Sequence, residues 1–463
     1  MTAQPSSPRV PDASYDPETP LQRSSLLWFA GGSFGMGIYV TVPGLLLLYY
    51  LTNVCDVDAW LAGLTLLLPK VVDVVVHPFV GTVSDAARRR TGSRVRLLTL
   101  GMATLPVAFV LLFAAPNPLL GAWAALWVAL FFVLANTLFA SYQVPYLSVP
   151  SDIATGYHQR TRLMGFRMVV LTLGILIGGA VAPLLADQDT GTRGDYLTMS
   201  VVLGVVMLGT MLLGIVGVRR LEREVPPSPM GDQAGHVLPL RERFAVAWQN
   251  QPFFWLMCSY LVMSTTTHLL LAGTPFYTEY VMDNTKLTTI LFVCFVGPAL
   301  IATPLWARFS RVHGKQRLLL LAQAMFVVGS LLLVLGRPGG LAWVLPSMLL
   351  LGIAFAGMQL FPFSMLPDTV KAAGEEGQRN AGSFTGLWTA TEATGAALGP
   401  YLYAGALALG GFVSTEAGET VEQSDTAVTA VRLAFSLLPA ALMCVAVVLQ
   451  RRYPLDRGRV SSS

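Results

Sequence analysis

Runs of about 20 mainly apolar residues, the length an α-helix needs to cross the roughly 30 Å hydrocarbon layer of a bilayer, recur twelve times along this chain. A soluble core of 463 residues could not hide that much apolar surface, because 54% of the residues are hydrophobic and only 12% are charged. Lipid must therefore be the solvent for most of the chain. The runs fall at 26–52, 58–83, 96–115, 119–149, 165–187 and 196–218, and then, after a polar break, at 252–280, 287–308, 317–336, 341–366, 381–410 and 428–450. The spacing predicts an all-α membrane protein with twelve transmembrane helices.

The first 25 residues are polar and rich in Pro and Ser, without the basic lead, short apolar core and small-residue cleavage site of a signal peptide, so the first helix is expected to stay. The four cysteines, Cys55, Cys258, Cys294 and Cys444, lie far apart with no ligand-type spacing, which indicates neither a disulfide framework nor a metal site. A formal charge of +4 could suggest an anionic partner such as nucleic acid, but the distribution of Lys and Arg argues for topology instead. They gather at 88–96, 160–162, 219–243, 308–317, 371–379 and 451–459, always in an even-numbered connection or a terminus, while acids such as Asp56, Asp58, Glu416 and Glu419 occupy the opposite connections. The positive-inside rule then places both termini and the central loop in the cytoplasm.

Residues 219–251 form the longest internal polar stretch and divide the chain into a tail (1–25), a six-helix unit (26–218), a linker (219–251), a second six-helix unit (252–450) and a second tail (451–463). The units echo one another. PYLSVPSD at 145–152 matches PFSMLPD at 362–368, each followed by a Gln-Arg pair, and VSDAARRRTGSRVRLL at 83–98 matches WARFSRVHGKQRLLLL at 306–321. Parallel six-helix repeats about a central cavity resemble the major facilitator superfamily, in which solute sites lie near the bilayer midplane.

Within 70–96, KVVDVVVHPFVGTVSDAARRRTGSRVR resembles the signature of the glycoside-pentoside-hexuronide:cation symporters, a family that also includes animal sodium-dependent lysolipid symporters. Lys70, Asp73, Pro78, Gly81, Asp85 and Arg88 to Arg90 carry that resemblance, and Val144-Pro145-Tyr146, Arg160 and Arg167 match a second family element. Membership implies uptake of a small organic solute such as a glycoside, driven by a cation. The sequence also departs from the family. His77 stands where sodium-using members carry a second carboxylate, and an Asp facing an imidazole is a poor sodium cage but a plausible proton acceptor, so protons are favoured over sodium. Where melibiose-transporting members hold sugar with acids on the first and fourth helices, alignment puts Gly37 and Gln143. Glu392 is the nearest ionisable residue to the family's Lys on the eleventh helix.

Lys70, Asp73 and His77 are spaced i, i+3 and i+7 and share one helix face. Ionisable side chains near the bilayer centre cost at least about 2.5–3.5 kcal/mol, so such a face lines a cavity or pairs internally. Asp73 is expected to be the proton or cation site, with His77 as relay and Lys70 as the counter-charge. The alternative is a permanent Lys70–Asp73 pair that only holds helices together. Arg167 and Glu392 are expected to contact substrate, with a snorkelling Arg and a structural hydrogen bond as the respective alternatives. His268, Gln143, Tyr39, Tyr142, Gln359 and Trp388 could complete a pocket, although packing explains each aromatic residue as well. Asp85 with Arg88, Arg89 and Arg90, together with Asp152 and Asp368, could form ion pairs that latch one conformation.

No nucleotide-binding or hydrolase motif is present, so neither an ATP-driven pump nor an enzyme is expected. The expectation is a monomeric, proton-coupled solute symporter of a cell membrane, surrounded by lipid, without cofactor or nucleic-acid partner. Abundant Arg beside scarce Lys suggests a bacterial source. Lysolipid or drug transport, sodium coupling and a non-transporting sensor remain alternatives.

Overall fold

A computed structural model describes residues 20–153, 157–186, 191–226, 248–374, 381–417 and 421–454. Its long helices are α1 (Arg23–Asn53), α2 (Ala59–Thr91), α3 (Val95–Leu112), α4 (Gly121–Asp152), α5 (Tyr157–Leu185) and α6 (Arg193–Glu224), followed by α7 (Gln251–Phe276), α8 (Leu287–Val296), α9 (Ala299–His313), α10 (Lys315–Leu332), α11 (Leu341–Ala372), α12 (Ala381–Leu409) and α13 (Asp425–Arg451). Among the described residues, ten spans are long and apolar enough to cross a membrane, with α8 and α9 counted together. The two remaining long helices are α2, with 33 residues, and α12, with 29. These two carry Lys70, Asp73 and Glu392. Of the expected linker, 219–224 continue α6, and 227–247 lie outside the described residues, as does the Gln378-Arg379 pair.

Local chemistry explains where the helices end and bend. α2 runs past the expected boundary at 83, so Asp85 and Arg88 to Arg90 form its last turns, and it stops at Gly92 with φ 73°. Thr192 and Asp195 build a reciprocal capping box that opens α6. α9 begins after Gly297-Pro298, where proline has no N–H to continue the helical ladder of α8. α7 ends in a wider π-turn, Tyr277–Val281, just after Pro275.

α1 to α6 pack chiefly among themselves, as do α7 to α13, and the two groups meet through α2 with α12, α1 with α7, and α5 with α8. Close approach depends on small residues. A Cβ on Gly37 would lie 2.5 Å from the Leu171 carbonyl oxygen on α5, and one on Gly399 would lie 2.5 Å from the Leu269 nitrogen on α7. Side chains such as Leu409, Ile301, Trp123 and Phe79 are exposed on the outside, as a lipid-facing surface requires.

Candidate functional site

Midway along α2, Asp73 is 5% exposed and Lys70 Nζ lies 3.4 Å from its Oδ2. The Lys70 ammonium also sits 5.4 Å from the centre of the Phe132 ring, so a cation–π contact and an ion pair hold it together. His77 shares the face, yet its Nδ1 lies 3.0 Å from the main-chain oxygen of Asp73. A carbonyl oxygen only accepts, so His77 Nδ1 carries the proton and Nε2 is left as the acceptor. The imidazole therefore reaches the Asp73 backbone, and the described contacts do not join it to the carboxylate by a hydrogen bond.

Across the interface, α7, α11 and α12 line a small, partly open cleft. Tyr260, Ser264, Thr267, His268, Gln359 and Glu392 supply its polar groups, and Met263, Met358 and Phe355 its apolar wall. Tyr260 and Glu392 lie side by side in this lining, close enough to interact electrostatically. Trp388 stacks on Tyr260 at 4.1 Å between ring centres and fixes that ring in place. His268 repeats the arrangement of His77, with Nδ1 2.9 Å from the Ser264 carbonyl oxygen. Lys70 lies close enough to His268 to interact with it electrostatically, which makes the α2 triad and this cleft neighbours. The structure thus brings Glu392, His268, Gln359 and Trp388 together and places Lys70 and Asp73 beside them.

Other expected site residues lie elsewhere. Tyr39 donates to Asn136 Oδ1 at 2.6 Å and packs on Phe139, although Asp73 is near enough to act on it electrostatically. Tyr142 is fully buried and donates to the Met211 carbonyl at 3.0 Å, tying α4 to α6 rather than lining the cleft. Gln143 is half-buried on α4, away from the cleft lining. Arg167 is 6% exposed beside Met168 and Tyr146, and its Nε has no hydrogen-bond partner among the described residues. Gly37 sits in the α1–α5 crossing, where no acidic side chain would fit.

The ionic clusters join helices within a group. Asp152 at the end of α4 accepts from Arg88 and from Arg94 Nε, both at 2.6 Å, and Arg94 also reaches Asp85 at 2.8 Å. Burial alone would lower the pKa of Arg94, but its bonds to Asp152 and Asp85 outweigh that and hold it above the ordinary value. In the second group, Lys315 at the start of α10 bonds Asp368 at 2.6 Å and the Ser364 carbonyl at 2.8 Å. Arg88 ties α2 to α4, Arg94 ties the start of α3 to both, and Lys315 ties α10 to α11, so these pairs join helices within one group. Arg89 and Arg90 are exposed.

Among the described residues, the hydrogen bonds between the groups all lie at the opposite, acid-bearing end. Glu279 in the π-turn accepts from Tyr49 on α1, and Asn53 donates to Tyr280 at 2.6 Å. Thr415 N donates to Thr52 O at 2.8 Å, and Asp56 N to Thr415 O at 3.0 Å. On α8, Thr289 donates to the Ala180 carbonyl of α5 at 3.0 Å. Asn136, Tyr260, Arg94, Lys315 and Glu279 escaped the sequence expectations. Asn136 carried a usable signal, as a lone amide within WVALFFVLANTLFA.

Comparison with known proteins decides the family. The profile described as "MFS/sugar transport protein" matches residues 28–457. The chain belongs to this family. Among relatives of this MFS protein, a glucuronide carrier protein homolog of Escherichia coli is 24% identical, over 93% of this chain and 92% of the relative. The sodium-dependent lysophosphatidylcholine symporter 1 of Mus musculus is 24% identical, over 71% of this chain and 66% of its own length. The crystal structure of the nucleoside transporter NupG superposes with a TM-score of 0.64 at 13% identity, covering 92% of this chain and 99% of that one, and so shares the fold. The MFS chain is a multi-pass cell-membrane protein, and its relatives are transporters.

Proposed function

We propose that this protein is a proton-coupled symporter that takes up a small organic solute by alternating access. All twelve long spans cross the membrane, both termini are cytoplasmic, and the six-helix units at 26–218 and 252–450 rock about the midplane. Asp73 is the coupling carboxylate. The observation that carries this reading is a 5% exposed acid paired with Lys70 on a helix that packs against the cleft-bearing group. Loss or gain of a proton at Asp73 changes its attraction for Lys70, so any motion that alters their separation is linked to proton binding. His77 offers a single acceptor nitrogen on the same face and acts as relay, a role that fits protons better than Na⁺, which needs several oxygen ligands.

The solute binds in the cleft of Glu392, His268, Gln359 and Tyr260. The inter-group bonds at the acid-bearing end support a state closed to the outside. The apolar wall of Met263, Met358 and Phe355, with a lysophosphatidylcholine symporter among the relatives, favours an amphiphile as the second reading. The test is counterflow in proteoliposomes with glycosides, organic acids and lysolipids, repeated with Asp73→Asn. Retained exchange with loss of proton-driven accumulation supports the assignment. Unchanged accumulation, or accumulation that follows Na⁺ at constant pH, sinks it, and absence of flux under every gradient points to a sensor.

A further inference from the structure

Hydrogen-bond accounting in the cleft discriminates between solute classes. The Tyr260 hydroxyl lies beside the Glu392 side chain. Ser264 spends its hydroxyl proton on the Glu392 main-chain oxygen at 3.1 Å, and Thr267 spends its own on the Met263 carbonyl at 3.0 Å. His268, as the neutral imidazole, gives its Nδ1 proton to the Ser264 carbonyl at 2.9 Å. What faces the empty space is then mostly acceptors: the Ser264 and Thr267 hydroxyl oxygens, His268 Nε2 and the Glu392 carboxylate, with the Tyr260 hydroxyl beside them. Gln359 alone among the lining side chains keeps N–H groups to offer. Glu392 is also the one carboxyl group in the lining, and Lys70, which acts on His268, is matched by Asp73 at 3.4 Å.

We infer that this cleft selects solutes carrying an ammonium group, admits neutral polyols less well and rejects carboxylates and phosphates, with Glu392 setting the order. An ammonium brings three N–H donors and a compensating charge to an acceptor-lined site. A hydroxyl can donate only one proton, and an anion would leave every acceptor unpaired beside a like charge. The apolar wall then takes the hydrophobic remainder of the solute. This inference rests on the transport reading above.

The test uses three phenyl β-glycosides that differ in one group: the glucosaminide, the glucoside and the glucuronide. They are compared as counterflow competitors and as thermal stabilisers of the purified full chain, at a mildly acid pH where the amine is protonated. The glucosaminide is expected to outcompete the glucuronide by about 10- to 100-fold, the range of a charge-assisted hydrogen bond. Glu392→Gln keeps an acceptor and the side-chain volume, and it should collapse that preference to less than about threefold while the ligand-free melting temperature holds. Equal or better competition by the glucuronide in the parent protein overturns the inference. So does an unchanged ranking in Glu392→Gln, or inactivity of all three glycosides while some other solute exchanges, an outcome that leaves transport itself standing. Absence of exchange by every solute removes the transport reading and this inference together.

Discussion

Replacing Asp152 by Asn should destabilise the protein far more than the equivalent change at Asp368, although both acids end the fourth helix of their group. Asp152 holds two guanidinium groups at 2.6 Å, and its side chain is 15% exposed, against 19% for Arg88 and 7% for Arg94. Asparagine offers one neutral oxygen to two cations, and Arg94 keeps only Asp85 and Ser84. Removing one partner of a buried pair costs about 3–5 kcal/mol, because the other charge stays buried without compensation. The Lys315–Asp368 pair is 39% and 27% exposed, so water can replace the lost partner. Pairs of that kind contribute roughly 1 kcal/mol or less. The two variants should therefore differ by at least about 2 kcal/mol, roughly 30-fold in the unfolding equilibrium. The assay is unfolding of purified protein in mixed micelles of rising SDS fraction, followed by ellipticity. Equal losses, or a larger loss for Asp368→Asn, would refute the claim that burial rather than position decides the strength of these pairs.

Gly37→Ala should cost about 1–3 kcal/mol in the same assay, because its methyl group would sit 2.5 Å from the Leu171 oxygen and force α1 and α5 apart; no loss would mean that the crossing is looser than described. Tyr49→Phe removes a donor to Glu279 and should loosen the acid-bearing end. Native Cys55, fully buried at that seal, reports on it: with Cys258, Cys294 and Cys444 changed to Ser, its labelling by an impermeant maleimide should rise roughly 2- to 10-fold, the equivalent of one hydrogen bond. Unchanged labelling would show that the bond does not help close that end. Trp388→Phe should weaken solute binding by freeing the Tyr260 ring that lines the cleft, with any Asp73-dependent coupling retained; loss of both would place Trp388 in the general packing instead.

Features whose cost is intrinsic to one residue were legible in the sequence. Helical spans follow from apolar length, and Lys70, Asp73 and Glu392 stand out because an ionised group in oil demands a reason wherever its neighbours lie. Partnerships were much less legible. Nothing in the spacing of Lys70, Asp73 and His77 says that His77 turns its Nδ1 to a main-chain oxygen, since that depends on a rotamer. Tyr142 reads like a pocket aromatic until α6 presents the Met211 carbonyl to it. Glu279 drew no expectation from the sequence, and only the packing of α1 on the π-turn makes it part of a seal. The repeat at 145–152 and 362–368 did locate Asp152 and Asp368, but a sequence echo carries no burial, and burial sets their different strengths.

The two membrane acids differ in what balances them, and that difference separates their tasks. Asp73 has its counter-ion on its own helix, three residues away and 3.4 Å distant, so α2 carries a nearly neutral pair wherever it moves. Glu392 has hydroxyl and aromatic neighbours and no Lys or Arg among the described lining residues, so a charge on it would be compensated only by what arrives. A proton is the smallest such visitor and a cationic solute the next. α2 packs along α12, so on the proposed reading solute at Glu392 and proton at Asp73 would act on facing helices of the two groups, with Lys70 close enough to act on Asp73 and on His268 of the cleft. Lys70→Gln tests this link: it should abolish the dependence of solute affinity on proton concentration while leaving solute exchange intact. Persistence of that dependence would move the coupling away from α2 altogether.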